Sequence, residues 1–428
     1  MKKLLLLFCF YGNFCAMNAQ SLTNEEQKIV LQTEKNFSEM MELLKASVNI
    51  NSGTFNIPGV KQVGELYATE LRKLGFTIEW VALPDSLKRA GHLVAYRKGK
   101  KGKKLFLIGH LDTVFEPDMT ANPFTQLSDT TITGQGINDM KGGDVMIIAA
   151  MRALHELNLL NDATITIYMT GDEENAGEPR SVSRSDFIAR AKAHDIALGF
   201  EGANGLNSIA TARRGSSGWQ LEVEGKQGHS SGVFTGAGYG AIYEASRIIN
   251  TFRETLSKEK YLSFNPGLFI GGSEMEVNLE AQKGTVSGKT NIISPKTVVI
   301  GDLRFLSEEQ KKNARKTMEQ ITAQHLPGTK ARIRFEDGIP AMAPTRGNEA
   351  LAEELSKTNL ALGFGKLTPG NPGSRGAGDI SYIAAYLDCL DGLGASGKGA
   401  HAPGEVLNVK EFPKLMKRAA VFIYRLTR

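Results

Sequence analysis

The chain has 428 residues, a length that usually accommodates two domains. Hydrophobic residues make up 41% and charged residues 23%, the ordinary balance of a globular protein with a full core. The formal net charge is +5, and it falls to +3 (49 basic against 46 acidic residues) once Lys2 and Lys3 are set aside with the leader. An excess this small gives no reason to expect a nucleic-acid partner.

The first nineteen residues have the pattern of a secretory signal peptide. Lys2 and Lys3 precede an apolar run over residues 4–10, and smaller residues lead to Ala19. We therefore expect cleavage after Ala19 and export to the periplasm or the exterior. The apolar run is too short to span a bilayer, and no later run is long enough. Cys389 is then the only cysteine of the mature chain, which excludes an internal disulfide.

Apolar runs that indicate strands alternate with helical segments through the first half of the chain. The main predicted strands are residues 104–109, 163–169 and 196–200, and polar or acidic residues follow each one closely. This alternation favours an α/β domain with a mixed, mostly parallel sheet flanked by helices and with functional groups at the strand ends. We assign residues 20–210 and 338–428 to this discontinuous domain.

The pattern changes between residues 211 and 337. Strands are predicted at residues 219–224, 262–270, 297–305 and 331–335, and helices at 238–255 and 307–325. This order matches the split β-α-β-β-α-β plan of ferredoxin-like domains, with a short strand near 276–279 left over. We therefore expect an inserted α+β domain.

The stretch Gly171-Asp172-Glu173-Glu174 stands out because three consecutive carboxylates follow a buried strand. Carboxylates this close repel one another, and apolar surroundings increase the repulsion. A bound divalent cation would compensate the charge and leave one neighbouring Glu free as a base. The alternative is a solvated acidic turn.

Other metal-ligating residue types also lie at strand ends or in Gly-rich loops. The candidate ligands are His110, Asp139, Glu174, Glu201 and His401. Two imidazoles and three carboxylates suit zinc or a neighbouring divalent ion, and one shared carboxylate can hold two ions roughly 3.5–4 Å apart. Asp112 is placed to accept the N–H of His110, and Glu173 suits a general base beside a ligand.

Six motifs together make the chain resemble the di-zinc family of glutamate carboxypeptidase, aminoacylase, succinyl-diaminopimelate desuccinylase and acetylornithine deacetylase. The motifs are Gly-His-Leu-Asp-Thr-Val (109–114), Gly-Ile-Asn-Asp-Met-Lys-Gly-Gly (136–143), Gly-Asp-Glu-Glu (171–174), Glu-Gly (201–202), Gly-His-Ser (228–230) and His-Ala-Pro-Gly-Glu (401–405). They cover almost the whole mature chain in the family's order and spacing.

The resemblance implies a role for each candidate. Asp139 would bridge the two ions, with His110 and Glu201 completing one site and Glu174 and His401 the other. Glu173 would be the general base, and Asp112 would orient His110.

The resemblance also implies that the inserted domain is a lid that forms a homodimer. His229 would polarise the scissile carbonyl, Asn291 and Arg304 would hold substrate oxygens, and Gly376 would belong to a backbone loop facing the substrate. An Arg fork suits a carboxylate because it can bind it bidentately.

Simpler interpretations remain for several of these residues. His229 could be an ordinary exposed loop residue, and Arg304 could simply pair with Asp302 or Glu336. The stretch 213–215 at the domain junction is expected to be a solvated hinge.

The expected function is that of a secreted hydrolase with two Zn²⁺, for which Co²⁺ or Mn²⁺ are alternatives. It would cleave a peptide or amide bond next to a free carboxylate, with a small peptide or an N-acyl amino acid as substrate. A deacylase of the same family and a non-catalytic binding homologue are the alternatives. The complete set of ligands and base favours an enzyme.

Overall fold

The computed structural model describes residues 21–279 and 281–428. The predicted signal peptide, residues 1–19, lies outside this part. The helices are α1 Asn24–Val48, α2 Ile57–Lys73, α3 Gly142–Glu156, α4 Arg180–Ser183, α5 Ser185–Ala191, α6 Gly240–Leu256, α7 Glu308–Thr322, α8 Arg346–Ala361 and α9 Phe412–Leu426.

The strands fall into one six-stranded sheet, two four-stranded antiparallel sheets and two two-stranded pairings. They are β1 Thr77–Val81, β2 His92–Arg97, β3 Lys101–His110, β4 Thr125–Ser128, β5 Thr131–Thr133, β6 Ala163–Thr170, β7 Ile196–Gly199, β8 Ser208–Ile209, β9 Gly215–Gly225, β10 Ser263–Gly272, β11 Glu274–Asn278, β12 Lys283–Ser287, β13 Lys296–Phe305, β14 Thr329–Asp337, β15 Thr368–Pro369, β16 Asp388–Leu390, β17 Gly397–Lys398 and β18 Val406–Asn408.

The central sheet has the order β1-β2-β6-β3-β7-β16. Strands β6, β3, β7 and β16 pair in parallel, whereas β2 is antiparallel to both of its neighbours. The predicted mixed, mostly parallel α/β sheet is therefore confirmed. The parallel strands all deliver their carboxyl ends to one edge, which is where such sheets place ligands.

Both faces of the central sheet are covered. In β3, Leu105 and Leu107 join the core cluster formed with α1, α3 and α9, whereas Phe106 and Ile108 join a second cluster that contains Phe187 of α5. Successive side chains of a strand point to opposite faces, so a run of apolar residues is what a doubly covered strand requires.

The second sheet has the order β10-β13-β9-β14 and is antiparallel throughout. With α6 and α7 it follows the predicted β-α-β-β-α-β order. Trp219, Leu221 and Val223 of β9 pack with both helices in a hydrophobic cluster separate from the central core. Their neighbours Gly218 and Gln220 lie on the opposite, open face of this sheet.

Some short elements differ from the expectations. The predicted extra strand near 276–279 is one half of the hairpin β11–β12, and residues 180–191 form the two short helices α4 and α5. The sheet β17-β18-β5-β4 was not predicted, because strands of two to four residues carry almost no periodicity. Within the described residues, no helix combines the length and apolar character needed to cross a bilayer.

Candidate active site

The predicted ligands meet at the carboxyl edge of the central sheet. His110 is the last residue of β3, Glu174 follows β6, and Glu201 follows β7. Because β3 pairs in parallel with both β6 and β7, the three chain segments leave the sheet side by side. Asp139 and His401 reach the same place from loops.

His110, Asp139 and Glu201 form the first group that could hold a metal ion. The Nε2 atom of His110 lies 3.2 Å from Asp139 Oδ1 and 3.6 Å from Glu201 Oε1. Burial disfavours protonation of His110, but these carboxylates outweigh it and raise the imidazole pKa well above its usual value. Burial and the nearby Asp139 raise the pKa of Glu201 to about 7.

Asp139, Glu174 and His401 form the second group. The Nε2 atom of His401 lies 3.1 Å from Asp139 Oδ2 and 3.1 Å from Glu174 Oε2. Asp139 therefore offers one carboxylate oxygen to each group, which is the geometry of a bridging ligand. The hydrogen bonds from Asp139 and Glu174 raise the pKa of His401 to about 11.

The donors fit a pair of divalent cations. Glu174 Oε1 is buried and has no hydrogen-bond partner, although an unpaired buried carboxylate oxygen is costly. The imidazole nitrogens and carboxylate oxygens converge, and their mutual repulsion would be relieved by positive charge between them. The predicted ligand set is thus brought together, with one orphan acceptor that a cation would satisfy.

Glu405 fixes the loop that carries Asp139, a role that the sequence did not reveal. Its buried carboxylate accepts hydrogen bonds from the backbone N–H groups of Gly136 (3.1 Å), Asn138 (2.6 Å) and Asp139 (2.8 Å). Burial raises the pKa of Glu405 to about 7 although these bonds favour its charged form. Pairing of β18 with β5 brings the two loops together. The only feature of the sequence that could have indicated this role is the position of Glu405, four residues after His401.

Asp112 is close to His110 but is used differently from the expectation. The Nδ1–H of His110 donates to the backbone carbonyl of Asp112 at 3.0 Å, and the Asp112 carboxylate is 3.6 Å away. That carboxylate instead accepts the N–H groups of Glu173 (3.0 Å) and Glu174 (3.1 Å) and the Thr54 hydroxyl (2.7 Å). Asp112 thus orients His110 through its backbone and the acidic turn through its side chain.

Glu173 is half-buried beside the two groups without belonging to either. Burial and the surrounding carboxylates, chiefly Glu201 and Asp379, raise its pKa well above the usual value. It lines a cavity of about 10 Å³ together with His110 and Glu201, close to the smallest volume that holds one water molecule. A carboxylate with a raised pKa beside a polar cavity suits proton transfer.

A buried ion-pair network supports the acidic turn from behind. Arg184 donates to Asp172 and, at 2.7 Å, to Asp379 Oδ1, and the Thr170 hydroxyl donates to Asp379 Oδ2 at 2.6 Å. Burial opposes the charge of Arg184, but the two carboxylates raise its pKa further above its usual value. Arg184 therefore links the turn of Glu173 to the loop that contains Gly376.

Arg213 corrects one expectation directly. It was expected in a solvated hinge, but only 7% of it is exposed. Its guanidinium pairs with Asp391 and donates to the carbonyl oxygens of Gly376 and Ala377, each at 2.8 Å. Its backbone pairs with Met342, where the chain returns from the second sheet. The carbonyl of Gly376 is therefore occupied in this structure.

The three residues expected to contact substrate from the insertion lie apart from the ligands. His229 is exposed in its loop and shares a hydrogen bond of 2.8 Å with the Ser231 hydroxyl, while the Asn291 carbonyl accepts the Ser230 N–H at 2.9 Å. Arg304 lies on the open face of the second sheet and pairs with Asp302 at 2.9 Å. Among the described residues, none of the three bonds to a predicted metal ligand.

Arg304 lines a cleft of about 550 Å³ across this open face, which also includes Arg180 from the central part of the chain. The floor of the cleft consists largely of Ser and Gly residues from β9, β10 and β13. Small residues there leave the guanidinium accessible, so Arg304 can exchange its exposed partner Asp302 for a ligand.

Comparisons with known proteins agree with this arrangement. Residues 106–425 match the model of peptidase family M20/M25/M40. Carboxypeptidase G2 of Pseudomonas sp. strain RS-16 is 27% identical over 413 residues, covering 94% of this chain and 90% of that protein. Succinyl-diaminopimelate desuccinylase of Pelagibacter ubique strain HTCC1062 is 23% identical over 368 residues, covering 83% and 91%.

Solved structures share the fold. A tripeptidase from Staphylococcus aureus subsp. aureus Mu50 superposes with a TM-score of 0.69 at 20% identity, covering 91% of this chain and 98% of that one. The family match spans about three quarters of the chain. The chain therefore belongs to peptidase family M20/M25/M40 and is a metal-dependent hydrolase of the peptidase or amidohydrolase type.

Proposed function

We propose that the protein is an exported di-zinc exopeptidase that removes a C-terminal residue by cleaving the peptide or amide bond next to a free carboxylate. The observation that carries this proposal is Asp139, which offers one oxygen to each of two His-carboxylate groups beside the free Glu173. The similarity to carboxypeptidase G2 over most of both chains supports the carboxypeptidase assignment.

His110 and Glu201 would hold one ion and Glu174 and His401 the other, with Asp139 between them. Imidazole and carboxylate ligands suit zinc, and cobalt or manganese are the alternatives. The bound pair would supply Lewis-acid polarisation of the scissile carbonyl and activation of water.

Glu173 would take the proton from the attacking water and pass it to the leaving amine. Its backbone is fixed by Asp112, and its carboxylate lies in the cavity next to His110 and Glu201. A raised pKa makes it a stronger base when ionised and a competent acid afterwards. Asp112 and Arg184 would keep this carboxylate in place.

Residues 211–337 would form a lid over the site formed by residues 20–210 and 338–428. All five metal ligands lie outside 211–337, whereas His229, Asn291 and Arg304 lie inside it. Closure would bring His229 to the carbonyl oxygen and Arg304 and Asn291 to the carboxylate. Lids of this kind exclude water and complete a catalytic set only with substrate bound.

The same segment would form a homodimer. Phe234 and Tyr243 are 54% exposed and Ile242 is 42% exposed, and the ring of Phe234 lies 5.2 Å from those of Tyr239 and Tyr243. Exposed apolar clusters of this kind are typical of interaction surfaces. A second copy of the chain is the partner that we propose.

The proposed export rests on the leader pattern of residues 1–19 and on the single remaining cysteine, Cys389, which is buried and free. An exported enzyme of this kind would act on external peptides. The alternative activity is hydrolysis of N-acyl amino acids, which the similarity to a desuccinylase favours and which needs the same chemistry.

Hydrolysis by the zinc-loaded protein tests the proposal. We expect cleavage of dipeptides and N-acyl amino acids that end in a free carboxylate, and at least about tenfold lower kcat/KM for the same compounds with a C-terminal amide. Removal of the metal ions by a chelator should abolish hydrolysis of both the dipeptides and the N-acyl amino acids. Equal rates with acid and amide would exclude recognition of the carboxylate.

A further inference from the structure

The loop after residues 372–374 carries a guanidinium without a protein partner. Arg375 is half-buried, and within residues 21–279 and 281–428 its side chain makes no hydrogen bond or ion pair. Removing a cation from water without pairing it is costly. The side chain is only partly buried, so its unused N–H donors can reach an anionic ligand.

The neighbouring carboxylate, Asp391, already has other partners. Asp391 pairs with Arg213 and accepts the N–H of Gly392 at 2.7 Å. The oxygens of Asp391 are therefore engaged by Arg213 and by the Gly392 backbone, and within the described residues they form no hydrogen bond with Arg375.

The guanidinium of Arg375 lies against Gly392, close enough to the metal ligands for Glu201 and Asp139 to act on it electrostatically. Its Nη2 atom is 2.8 Å from the position that a Cβ atom on Gly392 would occupy, so the glycine leaves room for it. Gly392 directly follows Asp391, which lines the small cavity shared with Glu173 and Glu201. Burial lowers the pKa of Arg375, and the carboxylates of Asp391, Glu201 and Asp139 act against that shift.

The backbone around Arg375 is held on both sides. Its N–H donates to the Pro372 carbonyl at 3.2 Å, and Arg213 binds the carbonyls of the two following residues, Gly376 and Ala377. A fixed loop loses little entropy when its side chain binds a ligand, which is the advantage of preorganisation.

We propose that Arg375 binds a second carboxylate of the substrate, in addition to the one assigned to Arg304. This inference rests on the proposed function. A guanidinium fork matches a carboxylate bidentately. The second carboxylate belongs either to the side chain of an acidic leaving residue or to the far end of a dicarboxylic acyl group. In both cases Arg375 would bind the substrate from the central part of the chain and Arg304 from residues 211–337.

Two matched substrate pairs test the assignment with Arg375→Met. N-benzoyl-glutamate and N-benzoyl-glutamine differ in the side chain of the leaving residue, and N-succinyl-leucine and N-butanoyl-leucine differ in the acyl group. We expect kcat/KM for the acidic member of one pair to fall roughly 10–100-fold, as for loss of a hydrogen bond to a charged group. The neutral member should change less than about threefold, within the range of minor contacts. The affected pair identifies the source of the carboxylate.

Two control variants accompany this test. Arg346→Met removes an exposed arginine from the start of α8 and should alter none of the four rates. Arg375→Lys keeps the charge without the fork and should keep part of the preference for the acidic member. This variant also serves if Arg375→Met does not fold.

A binding measurement on the metal-loaded protein gives a second readout. Titration calorimetry should show weaker binding of glutarate to Arg375→Met and unchanged binding of butanoate. An equal loss for both members of each pair, or an undiminished preference for the acidic member and for glutarate, would overturn the inference while the proposed function stands. Failure of the wild-type protein to cleave any of the four compounds would instead reject the proposed function.

Discussion

The edge of the central sheet and the open face of the second sheet hold their polar groups in different ways. At the edge, His110 and Asp112 are almost fully buried, and backbone and side-chain hydrogen bonds fix each of them. On the open face, Arg304 keeps 38% of its side chain exposed and has a single replaceable partner, Asp302. The comparison teaches that the chemical groups are assembled before substrate arrives, whereas the proposed recognition groups are exposed and have few partners to hold them.

The largest effect is expected from removing a metal ligand at the edge of the central sheet, where the groups are already assembled. Asp139→Ala should lose both metal ions and all measurable activity, because its two oxygens serve the two groups. Elemental analysis should give no bound metal after dialysis. Glu201→Gln and Glu174→Gln should each lower the occupancy of only one site. One ion retained at full occupancy in Asp139→Ala would contradict the bridge.

Glu173→Gln should lower kcat by about 10²–10⁴-fold, the usual cost of losing a general base. Metal content should stay at the wild-type value, because Glu173 belongs to neither ligand group. The control is Glu178→Gln, an exposed carboxylate on the same turn that pairs with Arg180. Wild-type turnover in Glu173→Gln with full metal content would remove Glu173 from the mechanism.

His229→Ala should lower kcat by roughly 10²–10³-fold, as when a donor to a developing oxyanion is removed. The matched control is His325→Ala, another histidine of the inserted segment, which lies 3.6 Å from Glu244. If the two variants behave alike, the exposed loop of His229 does not reach the site and the lid proposal fails.

Arg304→Ala should raise KM roughly 10–100-fold and change kcat much less, because the contact binds the carboxylate equally in the ground and transition states. Arg334→Ala is the control, since Arg334 is 59% exposed and belongs to β14 of the same sheet. A fall in kcat with unchanged KM would place Arg304 in the chemical step instead.

The smallest effect concerns stability. Glu26 of α1 binds Arg425 of α9, with Nε 2.6 Å from Oε1, and Glu26→Gln should lower the free energy of unfolding by about 1–2 kcal/mol at pH 7. Burial raises the pKa of Glu26, but its bonds to Arg425 and Thr23 outweigh this and lower it. The stabilisation that Glu26 gives to the folded state is therefore complete above the unfolded pKa of about 4.5, and it is lost as the pH falls below that value.

Urea denaturation at pH 7 and pH 3 measures this difference. Glu222→Gln, which removes the partner of the exposed Arg332 in the second sheet, should cost at most about 1 kcal/mol at pH 7. Equal costs for the two variants would mean that the central part is no more tightly held than the second sheet.

The central fold and the candidate ligands could be predicted because their signals are local. Residues 104–109 form a largely apolar run, which predicts the strand. His110 follows at its end, where functional residues of α/β sheets are expected. Asp139 and His401 lie in loops that periodicity does not describe; their residue types made them candidates, and the resemblance then assigned each a role. The structure brings all of these side chains together.

The supporting residues could not be predicted because their partners are far away in sequence. Glu405 binds backbone groups of residues 136–139, and Arg184 binds Asp379. Arg213 has a sequence context of charge and glycine that usually indicates solvent, yet its partner Asp391 lies 178 positions away. No local pattern reports such a pairing, because the chain must fold before the partners meet.

The way the chain leaves the central part and returns to it has a further consequence. The N–H of Arg213 donates to the Met342 carbonyl at 2.9 Å, and the N–H of Met342 donates back at 3.0 Å, so the two crossing points are adjacent. The residues between these two points therefore join the central part as a surface loop would. The free-energy cost of closing a loop grows only slowly with its length. Because its two ends are adjacent, we expect that this segment can be replaced by another, which would attach a different recognition surface to the same reactive centre.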